Sequence, residues 1–172
     1  MQNQTFDFQP TLTGELLKVR PLKNSEFDLL FAVASDPLIW ELHPQRERYR
    51  KEVFEKFFEL AIKSGGAFVI EENGKAVGSS RYYDYRPELS QVAIGYTFLA
   101  RAYWGGLYNR DLKKIMLQHA FKFVDNVIFE IGVNNLRSRK AIEKLGGRLS
   151  GQVDLDGTSH VVYTISKSGF NF

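Results

Sequence analysis

Hydrophobic positions along the chain switch between alternation and helical spacing, and the switches predict an ordered set of elements. Residues 12–21 read as a first strand, with Leu16, Val19 and, just beyond, Leu22 apolar. Asn24 or Ser25 is positioned to cap a helix that carries Phe27, Leu30, Phe31 and Ala34 on one face, and Asp36-Pro37 stops it. Residues 38–50 are irregular. A second helix over 51–63 sets Val53, Phe57, Phe58 and Ala61 at helical spacing and ends at Gly65-Gly66. Strands over 67–71 and 75–83 meet at Asn73-Gly74, a type I′ hairpin signal. The apolar strand 92–99 precedes a helix over 111–124, a strand over 127–131 and a helix that starts near Asn135 and stops at Gly146-Gly147. Strands over 148–155 and 159–166 turn at Asp156-Gly157. The order is strand, two helices, three strands, helix, strand, helix, two strands. An α/β (α+β) domain with one mixed sheet and helices on both faces satisfies it.

Composition narrows the functions open to such a domain. With 172 residues and 44% apolar content, one core is affordable, so 1–172 reads as a single domain with residues 1–10 as an N-terminal tail. The net charge of +3 is spread among acidic residues without a basic arm or stripe, which argues against direct nucleic acid binding. No cysteine is present, so disulfides, thiolate metal sites and a cysteine nucleophile are excluded. The three histidines, His43, His119 and His160, match no metal spacing, and His119 falls in an apolar helix as packing. Residues 1–10 lack a signal-peptide pattern, and no apolar run approaches the roughly 20 residues of a membrane span. The expectation is a soluble cytoplasmic protein.

The densest chemistry lies between Val92 and Gly147. A Gly105-Gly106 turn opens a helix, leaving backbone N–H groups unpaired with no Cβ in the way, and the helix dipole favours an anion there. Asn135 and Ser138 begin the next helix, where Asn as a cap is one reading and a polar ligand contact is another.

Three blocks in this order and spacing resemble the GNAT N-acetyltransferase superfamily: Ile94-Gly95-Tyr96-Thr97-Phe98-Leu99, Trp104-Gly105-Gly106-Leu107-Tyr108-Asn109, and Asn135-Leu136-Arg137-Ser138 followed by Ala141 to Gly146. The nearest likeness is to the branch of the ribosomal-protein N-terminal acetyltransferases. The resemblance implies a mostly antiparallel sheet, splayed at the cofactor site, with acetyl-CoA as cofactor. It implies that backbone groups near Phe98 and Leu99 pair with the pantetheine arm. It also implies that Trp104, Gly105 and Gly106 with the N–H groups of Leu107, Tyr108 and Asn109 hold the pyrophosphate. Members commonly carry Gly-x-Gly at this turn, and here Leu107 takes the place of the second glycine. Asn135 would contact pantetheine or a nearby water. Arg110, Lys113, Arg139 and Lys140 are the basic candidates for the nucleotide phosphates.

Acyl transfer to an amine needs a neutral nucleophile, a polarised carbonyl and a proton for the departing thiolate. Where many members place a Glu and a Tyr, this chain has Ala93 and Ile142, which move no protons. Ser138 is then the candidate donor to the leaving group, and Glu41, His43 and Asp84 are the candidate bases. Neutralising a lysine amine at pH 7 costs roughly 4.6 kcal/mol, against about 1–1.4 kcal/mol for an α-amino group. Weak base machinery therefore favours the N-terminal α-amine of a protein or peptide. The alternatives are a small amine (aminoglycoside, polyamine or amino acid) and a CoA-binding module without catalysis. A homodimer stays open.

Overall fold

The computed structural model describes residues 5–171. Its strands are β1 (Leu12–Thr13), β2 (Lys18–Pro21), β3 (Ala67–Glu72), β4 (Lys75–Arg86), β5 (Gln91–Leu99), β6 (Asn126–Gly132), β7 (Arg148–Leu155) and β8 (Thr158–Ser166). Its helices are α1 (Phe27–Ala34), α2 (Lys51–Ser64), α3 (Leu107–Ala120) and α4 (Leu136–Lys144). The strands form one sheet in the order β1-β2-β3-β4-β5-β6-β8-β7. Every neighbouring pair is antiparallel except β5–β6, which is parallel. Both hairpins turn where expected, with Asn73 and Gly74 at φ 49° and 79° and Asp156 and Gly157 at 51° and 72°. Two successive positive φ values match the right-handed strand twist.

Helices cover both faces, as the element order requires. On one face α3 and α4 bury Leu112, Met116 and Ile142 against Val92, Ile94 and Phe129. On the other, α1 and α2 pack Leu30, Phe54 and Phe58 against Val69 and Phe98. Phe54, fully buried, leads the α2 stripe in place of the half-buried Val53. Truncating such a ring costs about 3–5 kcal/mol.

Four boundaries differ from expectation, each for a local reason. The expected first strand is broken between Thr13 and Lys18, because the buried Asp111 carboxylate accepts from the backbone N–H groups of Glu15, Leu16 and Leu17 at 3.0, 3.0 and 2.9 Å. A chain bent around a carboxylate cannot stay in a ladder. The cap before α1 comes from neither Asn24 nor Ser25, which lie in a 3-10 turn; Glu26 accepts from the Lys23 N–H at 2.9 Å instead. Helix α3 starts four residues early, straight from the glycine turn, and ends at Ala120, after which Phe121 and Val124 stay buried in a tight turn. Part of the expected tail is core: Phe6 is 3% exposed among Phe8, Tyr82 and Phe123. Residues 1–4 lie outside the described residues. No helix among the described residues is long and apolar enough to cross a membrane.

Candidate active site

Strands β5 and β6 pair at only three positions, Gln91↔Asn126, Val92↔Val127 and Ala93↔Ile128, and then part. The rest of β5 stays on β4, but the register slips between Ser79↔Phe98 and Arg81↔Gly95. Tyr96 and Thr97 thus oppose the single residue Ser80, and Tyr96 takes φ 54°. This is a β-bulge, which bends a strand and re-aims its side chains. It sends the Thr97 hydroxyl inward to Ser80 Oγ at 2.8 Å and turns the Tyr96 ring to the opposite face, over Arg81.

Beyond Leu99 the chain enters the glycine turn. Gly105 and Gly106 have φ 103° and 117°, values that side-chain-bearing residues rarely adopt, and a Cβ at either would stand in open space. The space above the turn is therefore free for a ligand. Helix α3 follows without a side-chain cap, and its first intrahelical bond is from Arg110 N to Gly106 O. The N–H groups of Leu107, Tyr108 and Asn109 make no hydrogen bond among the described residues. Three unpaired amides at a positive helix end, over a turn without side chains, fit a pyrophosphate. Leu107 is 72% exposed. Tyr103 and Tyr108 both donate to the Glu72 carboxylate at 2.8 Å, which braces the turn against β3. Arg110 and Lys114 line a depression of ≈ 220 Å³ beside this helix end.

Lys113 and Arg139 stand elsewhere than a phosphate site would need. Lys113 is 4% exposed and donates to Thr97 Oγ1 at 2.8 Å, with its ammonium 5.6 Å from the Phe129 ring, so it lies inside the gap between β5 and β6. Burial holds its pKa down at about 7. Arg139 is spent on the Tyr163 hydroxyl and the Val133 carbonyl, while Lys140 is exposed. Phe98 packs against Trp40 and Phe57, and the Leu99 carbonyl accepts from the Trp104 indole at 3.0 Å.

The mouth of the gap is closed by two segments. The first turn of α4 carries Asn135, whose Oδ1 accepts from Ser138 N at 3.3 Å, so Asn135 caps the helix. The half-buried Ser138 hydroxyl makes no hydrogen bond among the described residues. Arg137 stacks on Trp104 at 3.7 Å and donates to the Ile39 carbonyl at 3.3 Å, joining α4, the glycine turn and the α1–α2 connection. In that connection Pro44 presses on Gly132, where a Cβ would come within 2.5 Å of the proline ring. Glu41 is exposed near Arg137. His43 is half-buried; its Nδ1 accepts from the Gln45 N–H at 2.9 Å, and burial, then the Arg48 charge, hold its pKa at about 3. Its free lone pair is therefore occupied. Asp84 lies along β4, exposed and paired with Arg86 at 3.0 Å.

The face carrying α1 and α2 holds residues that sequence reasoning passed over: Arg81, Tyr83, Tyr96 and Glu130 with Arg48. Tyr83 donates to Glu130 at 2.9 Å, and burial, then the Glu130 charge, push its pKa up. A lone arginine in the apolar run of β4 was the available signal. Among the described residues no group of His, Asp or Glu is placed to hold a metal.

Comparison with known proteins gives this geometry a family. The model of the acetyltransferase (GNAT) domain matches residues 17–148. No curated protein matches the chain. Among solved structures, a GCN5-related N-acetyltransferase from Brucella melitensis has TM-score 0.82 at 20% identity, covering 98% of this chain and 85% of its own. Mycobacterium smegmatis RimJ in complex with CoA-disulfide has TM-score 0.69 at 17% identity, over 92% and 87% of the two chains. Spermidine N-acetyltransferase from Vibrio cholerae, in complex with CoA and spermine, has TM-score 0.69 at 14% identity, over 90% and 97%. With the family model covering most of its length, and with the parted strands and bare glycine turn that acetyl-CoA requires, the chain belongs to the GNAT family of N-acetyltransferases.

Proposed function

We propose that this acetyltransferase acts on the N-terminal α-amine of a protein or peptide. The observation that carries the reading is the buried, apolar character of the two positions where many members of the family place a Glu and a Tyr, Ala93 at 2% and Ile142 at 3% exposure. Neither takes a proton from an incoming ammonium, and His43 has no lone pair to offer. An acceptor that is already partly neutral at pH 7 suits such a site, and an α-amine needs only about 1–1.4 kcal/mol to lose its proton.

The residues then divide the work. Acetyl-CoA, when bound, supplies the acyl group as a thioester. The Gly105-Gly106 turn and the amides of Leu107, Tyr108 and Asn109 hold its pyrophosphate. Phe98 and Leu99 of β5 border the gap that takes its arm. With it bound, the acceptor's amine nitrogen would attack the thioester carbonyl carbon and displace the sulfur, and the amine's proton would leave to solvent. The Ser138 hydroxyl, uncommitted at the mouth, gives its proton to the departing sulfur and is refilled from water. Glu41 and His43 position the acceptor. We also read residues 1–172 as one acetyltransferase domain working in the cytoplasm.

Thiol release from acetyl-CoA, measured across peptides, lysine analogues and polyamines, tests the assignment. Peptide α-amines are expected to turn over with kcat/KM climbing with pH to a plateau near 8. A plateau that follows an enzyme group near pH 6–7, removed by Glu41→Gln with His43→Gln, overturns the argument. Preferential turnover of polyamines makes the small-amine reading the right one.

A further inference from the structure

Arg81 is a cation without a counter-ion in the interior. It is 5% exposed, and its Nε and Nη2 have no hydrogen-bond partner. Those two N–H groups form the side-on edge of the guanidinium, whose spacing matches the two oxygens of a carboxylate. The flat face is taken by aromatic rings, Tyr96 at 3.9 Å and Phe57 at 5.6 Å. Rings fix the plane of the guanidinium and leave its buried edge without an acceptor.

A second guanidinium stands on the same ring. Arg48 lies 4.7 Å from Phe57 and 5.5 Å from Trp40. Among the described residues neither arginine forms an ion pair. Burial lowers the pKa of both guanidinium groups, and the Arg81 charge also lowers that of Arg48. His43 adds a third donor. Because Nδ1 accepts from Gln45, the ring proton is on Nε2, which faces Arg48 Nη1 at 3.3 Å, two donors with no acceptor between them. Buried cations left unpaired are costly, and a fold keeps them where something negative arrives.

The position of this cluster says what arrives. Tyr96 belongs to the bulge beside which β5 leaves β6, and Trp40 and His43 belong to the segment over the end of β6. The fork therefore lies beside the mouth of the gap, on the face away from α3. Its cover, Tyr96, is itself 41% exposed, and a ligand reaches the fork when that ring turns outward. We propose that Arg81, with Arg48, binds a carboxylate carried next to the acceptor's amine. That carboxylate is either the side chain of an acidic N-terminal residue or the α-carboxylate of a free amino acid. The inference deepens the N-acetyltransferase reading above and rests on it. It also makes a polycation a poor acceptor.

Two twin pairs of acceptors test it: a peptide beginning with Glu against the same peptide beginning with Gln, and alanine against alaninamide. In the wild-type enzyme the anionic twin of one pair is expected to have a kcat/KM about 10–100-fold above its neutral twin. The pair that shows it names the source of the carboxylate. Arg81→Met should bring that ratio close to one, and Arg81→Lys should rescue little, because an ammonium lacks the fork. Arg48→Met serves as the second variant if the first folds poorly by circular dichroism. Turnover of all four acceptors without anionic preference overturns this inference and leaves α-amine acetylation standing. If none of the four turns over, the α-amine reading falls. The carboxylate site is then tested by calorimetric titration of the CoA-saturated protein with the N-acetylated twins. Tighter binding of the acidic twin, lost in Arg81→Met, supports the site, and equal affinities overturn it.

Discussion

Replacing Lys113 by Met should make the protein more stable, by an amount that depends on pH in a defined way. The lysine ammonium is buried in the gap with one hydrogen bond, to Thr97, and burial lowers its pKa from 10.5 to about 7. The unfolded chain keeps this proton up to about pH 10.5, whereas the folded chain releases it above about pH 7. Between those values the unfolded state binds more protons, so wild-type stability rises with pH through this group. Below about pH 7 the full cost is present. The difference between 10.5 and about 7 converts, at about 1.36 kcal/mol per pH unit, to about 5 kcal/mol. By linkage the cost falls to about 2 kcal/mol at pH 9 and about 1 kcal/mol at pH 10. Met has similar length and no charge, and Thr97 keeps its bond to Ser80. Urea denaturation of both proteins at matched ionic strength from pH 6 to pH 10 reads the difference directly. The Met variant's advantage should be several kcal/mol at pH 6–7 and shrink by about 2 kcal/mol by pH 9. A difference that stays constant across the range, or a Met variant less stable throughout, refutes the reasoning.

Gly105→Val or Gly106→Val should abolish acetyl-CoA binding in calorimetry while leaving a folded protein, since a β-branched residue at φ 103° or 117° distorts the cradle and fills it. Asp111→Ala strips three backbone N–H groups of their acceptor and should cost about 3 kcal/mol, with faster hydrogen exchange at Glu15, Leu16 and Leu17. Retained exchange protection there would mean that the bend holds itself. Ser138→Ala should lower turnover with little change in acetyl-CoA affinity, because a donor to the leaving group acts in the transition state. Loss of affinity without loss of turnover per complex would make Ser138 a binding residue instead.

How much of this was legible in the sequence depended on the range of the interaction involved. The hairpins at Asn73-Gly74 and Asp156-Gly157 are encoded by two adjacent residues and stand where expected. The Gly105-Gly106 turn was readable for the same reason. The break between β1 and β2 was not, because Asp111 acts on Leu17 from 94 positions away. Lys113 read as a phosphate contact because basic residues near a glycine turn usually face solvent. Its burial follows from the helix phase, which turns it toward Thr97. Asn135 was legible as a cap, and its side chain is used as one. The arginine fork was missed because a single charge in a strand carries no spacing to recognise. Only the fold reveals that both Arg48 and Arg81 stand on Phe57.

The early parting of β5 and β6 bears on how this sheet avoids pairing edge to edge with another chain. A strand with a free side is a template for polymerisation, and proteins ordinarily blunt such strands at the rim of a sheet. Here the free side of β5 beyond Ala93 lies in the middle of the sheet, with strands on either hand and α3 above it. A second protein chain, with side chains alternating on both faces, is too broad to enter. A thin, flexible molecule is not. The same notch that admits the cofactor's arm therefore keeps out the partner that would turn this edge into a fibril.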